Sequence, residues 1–284
     1  MALTRLVNRR LRSNYYQDRL ILLATQEKSS STLHEVAINE MLWHSGGVQV
    51  LVPTPRQQMA GPVQMGGGAT FHFSMLLFFP NGGTCRGVFE PRHPNYRLAE
   101  EIGCRWVVLT RHPADRVVAQ YCMRSKELTA ASEGNNLTPF QAVFRDVGLP
   151  HSVRSLRDNL RWLAGWAAKG RDDRVLVVRY EDMVADPEAH FSNIHDDLFD
   201  APMSKELVSA VQRHLGNSGE AGSLQSGDSS TRVYEKGYSG KEGVWRNYLT
   251  PEDMADYNET VQRFLDYDEN AAALKALYPD LLLV

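Results

Sequence analysis

Apolar residues along the 284-residue chain fall into two rhythms. Short continuous runs rich in Leu, Ile and Val occur at 20–24, 48–52, 106–109 and 175–178, separated by helix-length segments. Such a run, without polar alternation, fits a strand buried on both faces. Strand-then-helix order repeated along the chain predicts an α/β fold, with a parallel sheet and helices on both faces. The helical segments carry their own start signals. A helix is expected from 32 to 43; Pro113 opens another carrying Val117, Val118, Tyr121 and Cys122, and Thr138-Pro139 a third carrying Phe140, Val143, Phe144 and Val147. Ser152 precedes a stripe of Val153, Leu156, Leu160, Leu163, Ala164 and Ala167, a one-sided apolar face that core packing explains. Asp186-Pro187 and Thr250-Pro251-Glu252-Asp253 begin two more by side-chain capping. Two stretches break the rhythm: 61–83, which contains Gly66-Gly67-Gly68, and 216–231, which is small and polar. Both are expected as mobile loops, the first a candidate lid on an acceptor side and the second a candidate flap over a cofactor.

Composition narrows this picture. With 43% hydrophobic and 23% charged residues the chain supports one large core, so a single domain over 1–284 is expected. Its basic N-terminal segment, 1–19, holds Arg5, Arg9, Arg10, Arg12 and Arg19 without an apolar centre, unlike a secretory signal. A net charge of -3 argues against general affinity for nucleic acid, while a local basic pocket for an anion stays compatible with it. Cys85, Cys104 and Cys122 cannot all pair and show no C-x-x-C spacing, which fits a reducing, cytoplasmic setting. The longest apolar run, 75–79, is too short to span a bilayer, so no integral membrane segment is expected. Oligomeric state leaves no mark in the sequence.

The chemistry begins where the first apolar run ends, in Thr25-Gln26-Glu27-Lys28-Ser29-Ser30-Ser31-Thr32. A helix start after a strand offers unpaired N–H groups and partial positive charge to an anion; Lys28 adds a full charge and the hydroxyls add donors. The nucleoside triphosphatase loop G-x-x-x-x-G-K-[ST] is absent, because Thr25-Gln26-Glu27 replaces its glycines. Two readings of the stretch stand: a phosphate site, or a serine-capped helix beside a solvated lysine. Arg111 follows the 106–110 strand as Lys28 follows the first, and Arg111-His112-Pro113 turns into a helix. In a doubly wound sheet both positions meet in the crevice beyond the strands' carboxyl ends, where a guanidinium grips a phosphate bidentately.

Four elements occur in order: Thr25-x-x-Lys28-Ser29-x-Ser31-Thr32; Arg111-His112-Pro113-x-Asp115-Arg116-Val117; Arg179-Tyr180-Glu181-Asp182-Met183 with Asp186-Pro187; and Gly240-x-x-Gly243-Val244-Trp245-Arg246-Asn247-Tyr248-Leu249-Thr250. Together they resemble the sulfotransferases that use 3′-phosphoadenosine-5′-phosphosulfate, PAPS. The resemblance implies a P-loop-kinase-like three-layer fold with a central parallel sheet. It places Thr25, Lys28, Ser29, Ser30, Ser31 and Thr32 on the 5′-phosphosulfate, Arg111 on the 3′-phosphate and Tyr180 near the adenine. The chain departs from that pattern with Ser30 for glycine, Leu33 for an adenine-stacking aromatic and Ala119 for serine. The late basic element is also altered: Gly240 falls in its place, and Lys236, Arg232 or Lys241 is expected to supply the charge.

Sulfuryl transfer needs nucleophile and leaving group in line and charge compensation on the departing phosphate; Lys28 is expected at the bridging oxygen, and no metal is required. The acceptor is expected to be a hydroxyl of a small molecule, lipid or sugar, activated by a general base. His93, in Pro91-Arg92-His93-Pro94, is the first candidate, with Glu90, Glu35 and His34 as alternatives and Arg92 beside it to steady the sulfuryl oxygens. Phe71, Phe73, Phe140 and Phe144 are candidates for an apolar acceptor pocket, although core packing explains aromatics equally well. Glu181 and Asp182 are expected to hold a loop, and Trp245 to anchor the C-terminal helices. Other readings are a kinase or nucleoside triphosphatase with a degenerate loop, in which Lys28 holds ATP, and a non-catalytic binder of sulfotransferase descent.

Overall fold

The computed structural model describes residues 15–17, 19–26, 30–45, 65–69, 82–91, 101–133, 135–150, 153–170, 172–220 and 242–284, with side chains described outside 65–69 and 214–220. Five strands, β1 (Leu20–Thr25), β2 (Met65–Ala69), β3 (Gly83–Phe89), β4 (Arg105–Thr110) and β5 (Val175–Arg179), form one sheet in the order β2-β3-β1-β4-β5. Every pairing in it is parallel. β1 lies at the centre and all six of its residues are buried, as its unbroken apolar run requires.

Successive side chains of each strand go to opposite faces, and the two faces have separate cores. Leu20, Leu22, Cys85, Phe89, Trp106, Val108 and Val175 pack with helices α2 (Pro113–Glu133), α3 (Pro139–Arg145), α4 (Leu156–Lys169), α8 (Pro251–Tyr267) and α9 (Ala271–Leu277). Ile21, Leu23, Val107 and Leu109 pack on α1 (Ser31–His44), α6 (Pro187–Phe199) and α7 (Lys205–Glu220). A short helix, α5 (Tyr180–Ala185), follows β5 without a linker. This is the expected three-layer α/β fold.

Caps explain most helix starts. Thr138 and Thr250 each accept from the backbone N–H three residues on, and Gln141 and Asp253 reach back to the cap residue's own N–H. Asp186 accepts from the Ala189 N–H and precedes a proline at the first helical position. The stripe helix α4 starts at Leu156 rather than after Ser152, because Ser155 Oγ takes the Asp158 N–H and closes the first turn there. Two expected loops are shorter than read. Within 61–83, Met65–Ala69 forms an edge strand on β3 and Gly83 already belongs to β3. Within 216–231, α7 runs on to Glu220. The apolar run 48–52 and the N-terminal segment 1–14 lie outside the described residues.

Candidate active site

The chain leaves β1 toward β3 on one side and later enters β4 on the other, so the crevice between the carboxyl ends of β1 and β4 is the switch point of the sheet. Gln26, the residue after β1, ties the two ends together. Its backbone N–H donates to the Leu109 carbonyl (3.4 Å), its Oε1 accepts from the Arg111 N–H (3.2 Å), and its Nε2 donates to Asn159 Oδ1 on α4. Thr25 ends β1 and pairs with Leu109, so it too faces this junction.

On the β1 side, α1 starts at Ser31 after Ser30, which is left-handed (φ 57°, ψ 33°) and makes no side-chain cap bond. The Ser30 carbonyl accepts from His34 twice, through its N–H (3.2 Å) and Nδ1 (3.0 Å). Arg86 reaches this helix mouth from β3, because strand alternation turns it, like Thr84, toward α1. Its Nη1 lies 2.8 Å from Thr32 Oγ1, 3.4 Å from Ser31 Oγ and 3.2 Å from Glu35 Oε2. Burial pushes the Glu35 carboxyl above the ordinary carboxylate range, against the opposing pull of Arg86.

On the β4 side, Arg111 is buried, with 2% exposure, and its guanidinium carbon sits 4.3 Å from the centre of the Tyr180 ring. A cation over an aromatic face is held flat and directed, which suits a bidentate anion grip. Glu181 braces the next residue: Oε1 accepts from the His112 N–H (2.7 Å), and Oε2 lies 3.5 Å from Arg179 and accepts from the Tyr278 hydroxyl (3.4 Å). Asp115, in the first turn of α2, accepts from the N–H groups of Gly243 (2.7 Å) and Trp245 (3.0 Å). Gly243 has φ 70°, a conformation that favours glycine, and its position lets the following short helix Val244–Asn247 dock against α2. Trp245 is buried in the core with Arg246 over its ring (4.4 Å), an anchor as expected.

Three of the four sequence elements therefore meet through explicit contacts: Arg111 with Tyr180, His112 with Glu181, and Asp115 with Gly243 and Trp245. The first joins them through Gln26. Lys28, Ser29, His93, Arg92, Lys236, Gly240, Lys241, Arg232, Phe71 and Phe73 lie outside the described residues. Two expectations are corrected. His34 cannot act as an acceptor base: it is buried, both ring nitrogens are engaged, and burial holds its pKa down to about 3. Phe140 and Phe144 do not form an apolar acceptor pocket: on α3 they are buried against Tyr121 and Tyr257, and the cavity that Phe144 borders is lined by charged side chains, among them Arg145, Arg157, Arg161 and Asp256. Glu90 pairs with Arg154 at 3.0 Å. Sequence reasoning missed Arg86, whose signal is one cation inside the otherwise small and apolar strand Thr84-Cys85-Arg86-Gly87-Val88, and Gln26, which carries no pattern at all.

A nucleotide fits what is here. Beside the buried Arg111, His112 leaves Nδ1 buried without a hydrogen-bond partner, and on α2 both amide atoms of buried Gln120 are likewise unpaired among the described residues. Buried polar atoms left so are costly unless a ligand or water completes them. Among the described residues no group of His, Cys, Asp and Glu is arranged to hold a metal ion, and no helix is long and apolar enough to cross a membrane.

Residues 104–199, from just before β4 to the end of α6, match the sulfotransferase family. No curated protein matches the chain. Solved structures resemble it in fold. Mouse sulfotransferase SULT7A1, complexed with PAP, superposes with a TM-score of 0.56 at 15% identity over 94% of this chain and 92% of its own. Retinol dehydratase, in complex with androsterone and inactive cofactor PAP, gives 0.56 at 15% over 93% and 87%. An Arabidopsis thaliana putative steroid sulphotransferase gives 0.53 at 16% over 93% and 84%.

Proposed function

We propose, for a chain whose residues 104–199 match the sulfotransferase family, that it moves the sulfuryl group of PAPS to a hydroxyl of a small-molecule, lipid or sugar acceptor by in-line displacement, releasing 3′,5′-bisphosphoadenosine, PAP. The observation that carries this reading is the buried Arg111 laid on Tyr180 across the switch-point crevice from the mouth of α1. That arrangement offers one cation to a 3′-phosphate and a separate set of N–H and hydroxyl donors to a 5′-phosphosulfate.

Bound PAPS supplies an activated sulfuryl group with a phosphate as its leaving group. The protein's part is positioning and charge compensation. Arg111 fixes the 3′ end, with Tyr180 beside the adenine. Thr25, Ser29, Ser30, Ser31 and Thr32 surround the 5′ end, and Lys28 stands at the bridging oxygen, where negative charge grows. Arg86 keeps the Thr32 hydroxyl and the Glu35 carboxylate in fixed places at that end. The late basic charge on the 3′-phosphate comes from Lys236, Arg232 or Lys241, with Gly240 in the same segment before Gly243. The acceptor proton goes to His93, or to Glu90 or Glu35 if His93 proves dispensable. The three thiols, all buried and none in a disulfide, suit a reducing cytoplasmic setting.

The test is thermal. PAP should raise the melting temperature, ADP should raise it less because it lacks the 3′-phosphate, and Arg111→Ala should erase the difference. Equal shifts from PAP and ADP in the unsubstituted protein would remove the role given to Arg111. Labelled PAPS offered with an acceptor panel, followed by mass analysis, identifies the acceptor; magnesium-dependent ATP turnover instead would favour a kinase.

A further inference from the structure

We propose that His190, acting through His34, is a positioning residue for the 5′-phosphosulfate: the two imidazoles clamp the Ser30 peptide so that the amides of the α1 mouth face the anion. The proposal rests on the reading of that turn as the phosphosulfate site.

Ser30 holds a left-handed backbone that a residue with a Cβ adopts reluctantly, and its own side chain does not cap the helix. Something outside the turn must hold it. The Ser30 carbonyl has no hydrogen, so His34 Nδ1 at 3.0 Å must carry the proton of that bond. A neutral His34 then presents a bare Nε2, and His190 Nε2, 2.8 Å away, must be the donor to it. Both tautomers follow from one carbonyl. A second proton on His34 would set two N–H groups against each other, and burial keeps both rings neutral, with pKa values near 3 for His34 and 4 for His190.

Neither ring is free to turn. Phe191 packs against both, at 5.2 Å between centroids in each case, and the rings meet each other edge to face at 5.1 Å. His190 is itself fixed near the start of α6, where Asp186 caps the first turn and accepts the His190 N–H (3.0 Å). The chain of bonds therefore runs from the neighbouring helix α6 to a strained peptide at the start of α1. In a planar trans peptide the carbonyl and the N–H point oppositely, so holding the Ser30 carbonyl toward His34 turns the Ser31 N–H outward along the helix axis, to where an anion gains most.

The experiment compares PAP and ADP affinities by titration calorimetry for the unsubstituted protein, His190→Leu and His190→Gln. Leucine keeps the bulk and removes the donor; glutamine presents an N–H at the position of Nε2. His190→Leu should weaken PAP and ADP alike, by about tenfold, because both ligands share the 5′ end. His190→Gln should recover most of the loss, which a purely structural role would not require. In a His34→Asn background, where the amide donates directly to the Ser30 carbonyl, adding His190→Leu should change PAP affinity no further. Unchanged affinity in His190→Leu, or no recovery in His190→Gln, overturns the proposal. Failure of the unsubstituted protein to bind PAP overturns the cofactor reading and this one with it, and is told apart because it needs no substitution.

Discussion

At the scale of single residues, Arg111 and the two buried histidines give separable predictions. Arg111 combines a charge with a plane laid on Tyr180, 4.3 Å from the ring centre. Lysine keeps the charge and loses both the plane and the fork. Arg111→Lys should therefore retain part of the excess of the PAP shift over the ADP shift, and Arg111→Ala none of it; a lysine variant equal to the unsubstituted protein would mean that the charge alone matters. The histidines set the acid limb of stability. Their folded pKa values, about 3 and about 4, lie below the ordinary imidazole value, chiefly because burial disfavours the charged form; the other His lowers that of His34, and Asp182 partly raises that of His190. An unfolded chain takes up protons below about pH 6.5 while the folded one does not, so stability is full above that pH and falls as pH drops toward 4, by about 1.4 kcal/mol per pH unit for each ring. Urea midpoints measured from pH 7 to 4 should fall steeply, and His34→Asn/His190→Leu should flatten that slope.

At the scale of elements, the sequence announces what local chemistry decides. Pro113, Thr138-Pro139, Asp186-Pro187 and Thr250-Pro251 mark helix starts because capping and proline geometry involve only neighbours. β1 and β4 are legible because they are buried on both faces, and β5 because its run Val175-Leu176-Val177-Val178 is unbroken and mostly β-branched. β2 is not: three consecutive glycines carry no side-chain pattern, and only pairing with β3 makes them a strand. α5 is missed because it begins directly at Tyr180 with no capping side chain. The site divides likewise. Arg111 and Tyr180 stand at strand ends, where position along the chain predicts position in the crevice. Arg86 and His190 matter only through partners 51 to 156 residues away. Asp115 links two elements and is directly testable. Asp115→Ala removes a carboxylate holding two backbone N–H groups, each such charged bond being worth about 1.5–3 kcal/mol. The expected result is a lower melting temperature together with weaker PAP binding, since the turn at Gly243 and the chain leading into it lose their anchor on α2. By contrast Thr250→Ala, which removes only a helix cap, should cost about 1 kcal/mol and leave PAP affinity unchanged.

At the scale of the whole molecule, the crevice is braced from the far end of the chain. After α9 the backbone returns to the carboxyl end of β4. There the buried Tyr278 hydroxyl donates to Thr110 Oγ1 (3.0 Å), its ring meets His112 edge to face, and the Asp280 carbonyl lies 3.3 Å from His112 Nε2. Arg179 lies over that ring, 5.0 Å from its centre. Beyond it, Leu283 exchanges two hydrogen bonds with Asn258 on α8, so the strap is fastened at both ends. Every residue it touches at the crevice adjoins Arg111 or Tyr180 in sequence, so under the role proposed for Arg111 the strap braces the 3′-phosphate site. Tyr278→Phe removes the hydroxyl's contacts with Thr110 and Glu181 and leaves the ring stack, so it should lower stability by about 1 kcal/mol and PAP affinity by a few fold. Deleting 278–284 also exposes the partners of Leu281 and Leu283, at about 1.5–3 kcal/mol for each buried leucine, and should weaken PAP far more than ADP because only PAP uses Arg111 at its 3′-phosphate. If the deletion weakened both ligands to the same degree, the strap would serve the fold as a whole and not the grip on the 3′ end.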